Sequence, residues 1–235
     1  YESQQLVDKG LLSSKTLLTI VNDILDFSKI EAGRLTLENI PLDVSKLIEL
    51  AVADLQPIAE AKNVHISVTL APNYKEGWLG DPVRIKQIIL NLMSNAVKFT
   101  DRGNVSVLLC DNNDQLCIEV ADSGIGMSKH ILEGLFTRFE QADKTTTRRY
   151  GGTGLGMAIT KQLIDLMAGT IEVESEINVG TKFKVCLPLH RQPMSAVKKV
   201  RKTFSHTPNL QGKTILVAED NKINQAVFIA MVKPT

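Results

Sequence analysis

The sequence predicts an α/β (α+β) sandwich: a mixed β-sheet with helices layered on one face, preceded by a long helix. Three observations carry this. From residue 34 onward, segments of strand period and helix period interleave. The strand-like segments come in close pairs that read as hairpins, which favours a layered sheet over a doubly wound one. The first thirty residues carry one narrow apolar seam of helical spacing.

That seam consists of Leu11, Leu17, Leu18, Val21, Ile24, Leu25 and Ile30, three and four apart, with Gly33 at the expected stop. A helix over 4–32 follows, and so narrow a stripe seeks a partner helix. "RLTLENI" alternates as a strand. Asp43 suits the N-cap of the next helix, which carries Leu47, Leu50, Val52, Leu55 and Ile58. "VHISVTL" is a second strand. "GDPVRIKQIILNLMSNAVKFT" opens with Asp81 as N-cap and Pro82 in the first turn, and runs to about Phe99. "NVSVLLC" and "LCIEVAD" are strands joined by the turn residues "DNND". After a glycine segment at 123–126 comes a polar Thr- and Arg-rich stretch over about 137–153, which reads as a lid. A second glycine cluster opens a helix ending at Ala168-Gly169, and "TIEVESE" with "TKFKVCLPL" closes the fold as a hairpin. Residues 190–212 lack apolar periodicity and read as a linker. "KTILVAEDNKINQAVFIAM" then supplies a short strand, an acidic pair and a helix.

Composition narrows the function. Hydrophobic residues make up 43% and charged residues 23%, enough for a globular core. The net charge of +1, with acidic and basic residues mixed, argues against nucleic acid or an anionic membrane as partner. No apolar run approaches a membrane span, so no membrane contact is expected of this segment. Cys110, Cys117 and Cys186 lack metal-ligand spacing. Cys110 and Cys117 could face each other across their hairpin, but reduced core thiols in a cytoplasmic protein are expected.

Four clusters carry polar chemistry. Asn91, Asn95 and Lys98 lie four and three apart and share a helix face. Two amide oxygens suit Mg²⁺ that keeps waters and binds substrate phosphates, and Lys98 adds a compact cation. In "ADSGIGM", Asp122 ends a strand where a carboxylate can accept from an exocyclic amine, while Gly124 and Gly126 admit a flat ring. In "RRYGGTGLGMAIT", Gly152, Thr153, Gly154, Leu155 and Gly156 place N–H groups at a helix start, which suits phosphate. In "VGTKF", Gly180 and Thr181 place a hydroxyl near the base. Each motif is weak alone; their order is not.

"NLMSNAVKFT", "DSGIGM", "LFTRFEQAD", "GGTGLGMAI" and "GTKF" resemble, in family order, the N, G1, F, G2 and G3 boxes of sensor histidine kinases. "VNDILDFSKIEAG" resembles the second helix of that family's dimerisation and phosphotransfer domain. "ILVAEDNKINQAV" resembles the start of a receiver domain, as in hybrid kinases. The resemblance implies residues 1–33 as that second helix, 34–190 as an ATP-binding catalytic domain of Bergerat type, 191–212 as linker and 213–235 as the receiver start.

It also implies roles. Asn95 would ligate Mg²⁺ and Asn91 would contact metal or phosphates. Lys98 would meet the phosphates, and Phe99 would pack near the adenine. Asp122 would fix the adenine amine, with Gly124 and Gly126 shaping that wall and Thr181 acting through water. Gly152, Gly154, Leu155 and Gly156 would close over the triphosphate. Arg138 or Arg149 would reach the γ-phosphate, with Phe136 and Phe139 at the lid base. Glu219 and Asp220 would begin an incomplete receiver Mg²⁺ site. The implied reaction is attack of a histidine nitrogen on the γ-phosphorus, followed by relay to an aspartate. His65, His130, His190 and His206 lack the acidic neighbour that follows the family's acceptor, so none fits. The chain is therefore expected to bind ATP without phosphorylating itself. In the parent, the long helix would mediate dimerisation, a receiver or phosphotransfer domain would be partner, and membrane anchorage is open. Two other readings are a non-catalytic nucleotide-binding interaction module and a conformational ATPase of the same superfamily. The latter typically places an acidic base where Asn91 stands.

Overall fold

The computed structural model describes residues 2–72, 74–112, 115–137 and 154–192, with positions 216, 218–220, 222, 225, 228 and 229. The chain divides into Tyr1–Val200 and Arg201–Thr235. In the second unit, positions 222, 225, 228 and 229 are helical, and Gln225 Nε2 donates to the Glu219 carbonyl at 2.5 Å. The expected lid from 138 to 153 and the linker beyond 192 lie outside the described residues.

Helix α1 spans Glu2–Glu31. It ends where expected, at Gly33 (φ +62°). There the Gly33 N–H donates to Ile30 O and the Arg34 N–H to Lys29 O, at 3.0 and 2.9 Å, satisfying carbonyls the last turn would leave open. Its C-terminal end is docked: Phe27 and Ile30 pack against the core. Asp26 accepts from Arg84 at 2.7 Å and from Gln87 at 3.1 Å. The seam residues Leu17, Leu18, Val21, Ile24 and Leu25 stand 44–63% exposed. Those of Leu11 lie outside the described side chains.

"RLTLENI" is not a strand. Strand β1 covers only Ile40–Leu42, and residues 34–39 have no ladder partner. Their alternation reflects one-sided burial of Leu35 and Leu37 against the core, while the Glu38 N–H turns to the Asp81 carboxylate at 3.2 Å. Helix α2 spans Val44–Ala61, with Asp43 accepting from the Lys46 N–H as its N-cap. β2 (Val64–Leu70) and the unforeseen three-residue β3 (Trp78–Gly80) follow. Helix α3 spans Pro82–Phe99, and Asp81 Oδ1 accepts from Val83 and Arg84 N–H, both at 3.0 Å. Next come β4 (Gly103–Asn112), β5 (Gln115–Asp122) and a short α4 (Lys129–Gly134) capped by Ser128. Helix α5 (Gly156–Leu166), β6 (Thr170–Glu176) and β7 (Gly180–Leu187) complete the unit.

The main sheet runs β2-β4-β5-β7-β6, parallel at β2–β4 and antiparallel elsewhere. Val105, Val107 and Leu109 of β4, Leu116, Ile118 and Val120 of β5, and Phe183, Val185 and Leu187 of β7 alternate toward one face. With the buried faces of α2, α3 and α5 they form a single core. The other face carries a charge ladder. Lys184 stands between Glu119 and Glu172, and Lys182 opposes Glu174. Charges on β6 keep this edge from pairing with a foreign strand.

The cysteines depart from expectation. Cys110, Cys117 and Cys186 lie in one cross-strand row, and Cys117 is bonded to Cys186 across β5–β7. The Cys110–Cys117 facing holds in register, but the reduced state expected of the core thiols does not. The cause is non-local: a pairing 69 residues apart is set by sheet register, which spacing does not reveal. Cys110 keeps its thiol, whose pKa is raised by burial and then by the Glu119 charge.

The first three residues of the expected linker are also structured. Leu79 N–H donates to His190 O at 2.7 Å and Gln192 N–H to Gly77 O at 3.0 Å. Arg191 stacks over the Trp78 ring, 4.7 Å from its centroid, and pairs with Asp111. β1 and β3 form a small second sheet, which this tail meets through a single bridge between Trp78 and Arg191.

Candidate nucleotide site

The C-terminal end of β5 and the adjoining end of β7 build a polar wall. Asp122 lies opposite Thr181, and its Oδ1 accepts from the Gly124 N–H at 2.8 Å. Burial raises the Asp122 pKa, and backbone N–H groups of Gly124 and Thr181 oppose that rise. The carboxylate is therefore held by fixed donors in a partly dry setting, where an incoming amine gains most.

The glycines of this wall answer to the protein's own backbone. A Cβ at Gly124 would overlap the Phe99 carbonyl and sit 2.8 Å from Asp122 Oδ1. At Gly126 (φ +64°) it would overlap Glu176 O, and at Gly180 (φ +135°) Asp122 O. These contacts clamp the 123–126 turn between two structures. Ile125 N–H donates to Phe99 O at 3.2 Å, and Asn178 N–H to Ile125 O at 2.8 Å. The expectation that Gly124 and Gly126 serve ring approach thus has a nearer cause in backbone packing.

Helix α3 supplies the opposite side. Asn91, Ser94, Asn95 and Lys98 are all half-buried on one face, amid buried Leu92, Met93, Ala96 and Val97. The Asn91 amide donates to Gly156 O at 3.2 Å and to Thr160 Oγ1 at 3.1 Å. This ties α3 to the start of α5 and leaves the Asn91 oxygen as acceptor. The Lys98 ammonium lies 4.8 Å from the Phe99 ring centroid, and burial lowers its pKa. The α3 C-terminus is closed by Lys62, whose Nζ reaches Val97 O and Lys98 O, both at 2.7 Å.

Helix α5 begins at Gly156, and its N-cap Leu155 makes no side-chain capping bond. Gly154 (φ +70°) turns the chain into it, and Leu155 is buried. A helix start without a side-chain cap, beside Asn91, suits phosphate oxygens. Phe136 is half-buried. Gly152, Thr153, Arg138, Phe139 and Arg149 lie outside the described residues. The donor set fits Mg·ATP: amide oxygens and an ammonium on α3 stand beside a helix start that has no side-chain cap, and a half-buried carboxylate ends β5. No group of three or more acidic, His or Cys ligands occurs among the described residues.

Two residues escaped the sequence reading. Ser175 accepts from Met127 N–H at 2.8 Å, donates to Gly180 O at 3.0 Å and lies 2.8 Å from Thr181 Oγ1. Its signal was a small polar residue at an inward position of β6, between Ile171, Val173 and the pocket. Thr160 is fully buried on the apolar face of α5, one turn after Gly156. A groove of about 450 Å³ beside the site, between α1 and α3, is lined by Asn22, Asp26, Lys29, Arg84 and Gln87 and reaches Asn91.

A helix-covered mixed sheet with an amide-bearing helix facing a glycine-led helix start defines an ATP-binding domain. Residues 80–191 match, and belong to, the histidine kinase-, DNA gyrase B-, and HSP90-like ATPase family. The relatives are histidine kinases. Hybrid signal transduction histidine kinase A of Dictyostelium discoideum is 42% identical over 199 residues, 80% of this chain. The signal transduction histidine-protein kinase BarA of Escherichia coli (strain K12) is 36% identical over 214 residues, 89% of this chain. The chain spans 9% and 23% of their lengths, respectively. Among solved structures, full-length ShkA in complex with AMPPNP superposes with TM-score 0.71 at 30% identity, over 82% of this chain and 40% of that one. The catalytic domain of histidine kinase ThkA gives TM-score 0.56 at 25% identity, over 64% of this chain and 95% of that one.

Proposed function

We propose that this chain is the catalytic part of a hybrid sensor histidine kinase, passing the γ-phosphoryl group of ATP to a histidine outside the four it carries. The observation that carries the reading is the Asn91 amide bridging α3 to the uncapped start of α5, opposite the Asp122–Thr181 wall. Asp122 accepts from the adenine amine, with Thr181 beside it and Phe99 packing near the ring. Lys98 and the N–H groups from Gly152 to Gly156, with Thr153 and Leu155, hold the phosphates. Asn95, with Asn91, is the place for Mg²⁺, which when bound neutralises charge on the transferring group. A histidine nitrogen then attacks in line: a P–N bond forms, the P–O bond to ADP breaks, and the ring's N–H proton passes to solvent water. His65 lies in β2, His130 in α4 and His190 beside β3, each part of the catalytic unit itself.

The remaining organisation is proposed with it. Residues 1–33 are a dimerisation helix, supported by the bare seam of α1. Residues 34–190 are the catalytic domain, with the 190–192 tail bound to it, and 191–212 the linker. Residues 213–235 begin a receiver in which Glu219 and Asp220 would meet Mg²⁺. The groove reaching Asn91 offers an acceptor-bearing segment a way to the phosphate end. Among the described residues no helix is long and apolar enough to cross a membrane, and a cytoplasmic position for this part is proposed.

Calorimetry with Mg·ATP on this chain, Asp122→Ala and Asn95→Ala tests the reading. Expected are binding by the parent chain, loss of affinity in Asp122→Ala, and reduced Mg²⁺ dependence in Asn95→Ala. Absence of binding by the parent chain overturns it.

A further inference from the structure

We infer that Ser175 sets the hydrogen-bonding polarity of the base wall, and so acts as a positioning residue that makes the pocket select a 6-amino over a 6-oxo purine. The inference rests on the nucleotide reading above and concerns how that site discriminates.

The argument is a proton count. The Ser175 hydroxyl has three partners and one proton. Met127 N–H can only donate to it, at 2.8 Å. The Gly180 carbonyl can only accept from it, at 3.0 Å. The third partner, Thr181 Oγ1 at 2.8 Å, could do either. Only one assignment makes all three contacts hydrogen bonds: Ser175 donates to Gly180, and Thr181 donates to Ser175. The Thr181 proton is then committed away from the pocket, and Thr181 Oγ1 offers lone pairs alone. Asp122, opposite Thr181 in register, is also an acceptor. The wall thus presents acceptors from both strands.

Such a wall has a chemical preference. A 6-amino group brings two N–H donors, directly or through one water. A 6-oxo group brings lone pairs against lone pairs, and buried acceptors left without donors are costly. Thr181 is 8% exposed, so bulk water does little to relieve the mismatch. Without the Ser175 hydroxyl, the Thr181 proton is free to rotate toward the pocket and to serve an oxo group. Ser175 also joins three segments, since Met127 follows the 123–126 turn and Gly180 and Thr181 open β7. Loss of the hydroxyl therefore also leaves the Met127 N–H without its acceptor.

The test is the ratio of Mg·ATP to Mg·ITP affinities for the whole chain, Ser175→Ala, Ser175→Thr, Thr181→Val and the double variant, with thermal unfolding of each. ITP differs from ATP at the 6-position and its neighbouring ring proton. Expected is that Ser175→Ala lowers the ATP-over-ITP preference by about tenfold, one hydrogen bond's net worth. Ser175→Thr should restore the preference, and Ser175→Ala on the Thr181→Val background should leave the ratio unchanged. A purely structural Ser175 would weaken both nucleotides equally, and that result overturns the inference while leaving the nucleotide site standing. An unchanged ratio in a folded Ser175→Ala overturns it too. If the parent chain binds neither nucleotide, the function proposed above falls along with it.

Discussion

At the proposed base end of the cleft, Gly124, Gly126 and Gly180 are pressed against the backbone of Phe99, Glu176 and Asp122. At the proposed phosphate end, Asn91, Asn95 and Lys98 ride on one face of α3 beside a helix start with no side-chain cap. The first is fixed by main chain meeting main chain, and leaves no room for a side chain. The second is made of side chains on a well-buried helix, whose changes the fold can absorb. The glycines of the first thus serve the fold before anything else, whereas the side chains of the second can be changed at little cost to it.

Breaking the base end should have the largest effect. Gly126→Ala or Gly180→Ala combines a left-handed or otherwise disfavoured backbone with overlap on a carbonyl. The expected loss is about 2–5 kcal/mol of stability, read as a fall of about 5–15 °C in thermal midpoint. Wild-type stability in either variant would show that this end yields.

Asp122→Asn separates recognition from folding at the same place. Affinity for Mg·ATP should fall about 10- to 100-fold, as expected for losing a charged acceptor. The unliganded chain should not be destabilised. Burial raises the Asp122 pKa in the folded state, so the folded chain binds the extra proton more readily than the unfolded one. The ionised form is thus the costly one, and that cost is relieved as pH falls through the raised pKa. ATP affinity should weaken over that same descent, and Asp122→Asn should remove this part of the pH dependence in calorimetric titrations.

At the phosphate end, Asn95→Ala should leave the thermal midpoint within the change expected for a tolerant site, about 0.5 kcal/mol. It should cost about tenfold in ATP affinity with Mg²⁺ present. Equal affinity with and without EDTA would mark the lost metal contact. The smallest effect is expected at the edge of the domain. Arg84→Ala removes the half-buried pair with Asp26, for about 1 kcal/mol in thermal unfolding. ATP affinity should stay within twofold. A larger shift would show that the phosphate end depends on α1.

Much of this was legible in the chain because the signals were local. Asp43 and Asp81 cap the helices they were expected to cap. Strands β2, β4, β5, β6 and β7 fall where alternation put them. Gly33 stops α1, and Asn91, Asn95 and Lys98 share their face. What was hidden depended on register between distant segments. "RLTLENI" has the period of a strand and lacks a neighbour to pair with. β3 is too short for a period to show. Ser175 gains its role only when β6 sets it beside Thr181 and Met127, and Cys117 meets Cys186 only through the β5–β7 ladder. The reason for glycine at 126 and 180 likewise sits on other strands.

The tail at 190–192 has a mechanical consequence. It leaves the sheet at the Leu187–Leu116 end, where Asp111 also lies, six ladder positions along β5 from Asp122. That is about 20 Å by the antiparallel rise per residue. Two backbone hydrogen bonds, the Arg191–Trp78 stack and the pair with Asp111 fasten it there. Tension or torque from whatever follows residue 192 is therefore taken up first by β3 and Trp78. The clasp acts as strain relief on a cable: load arriving along the chain at residue 192 meets it about 20 Å from Asp122.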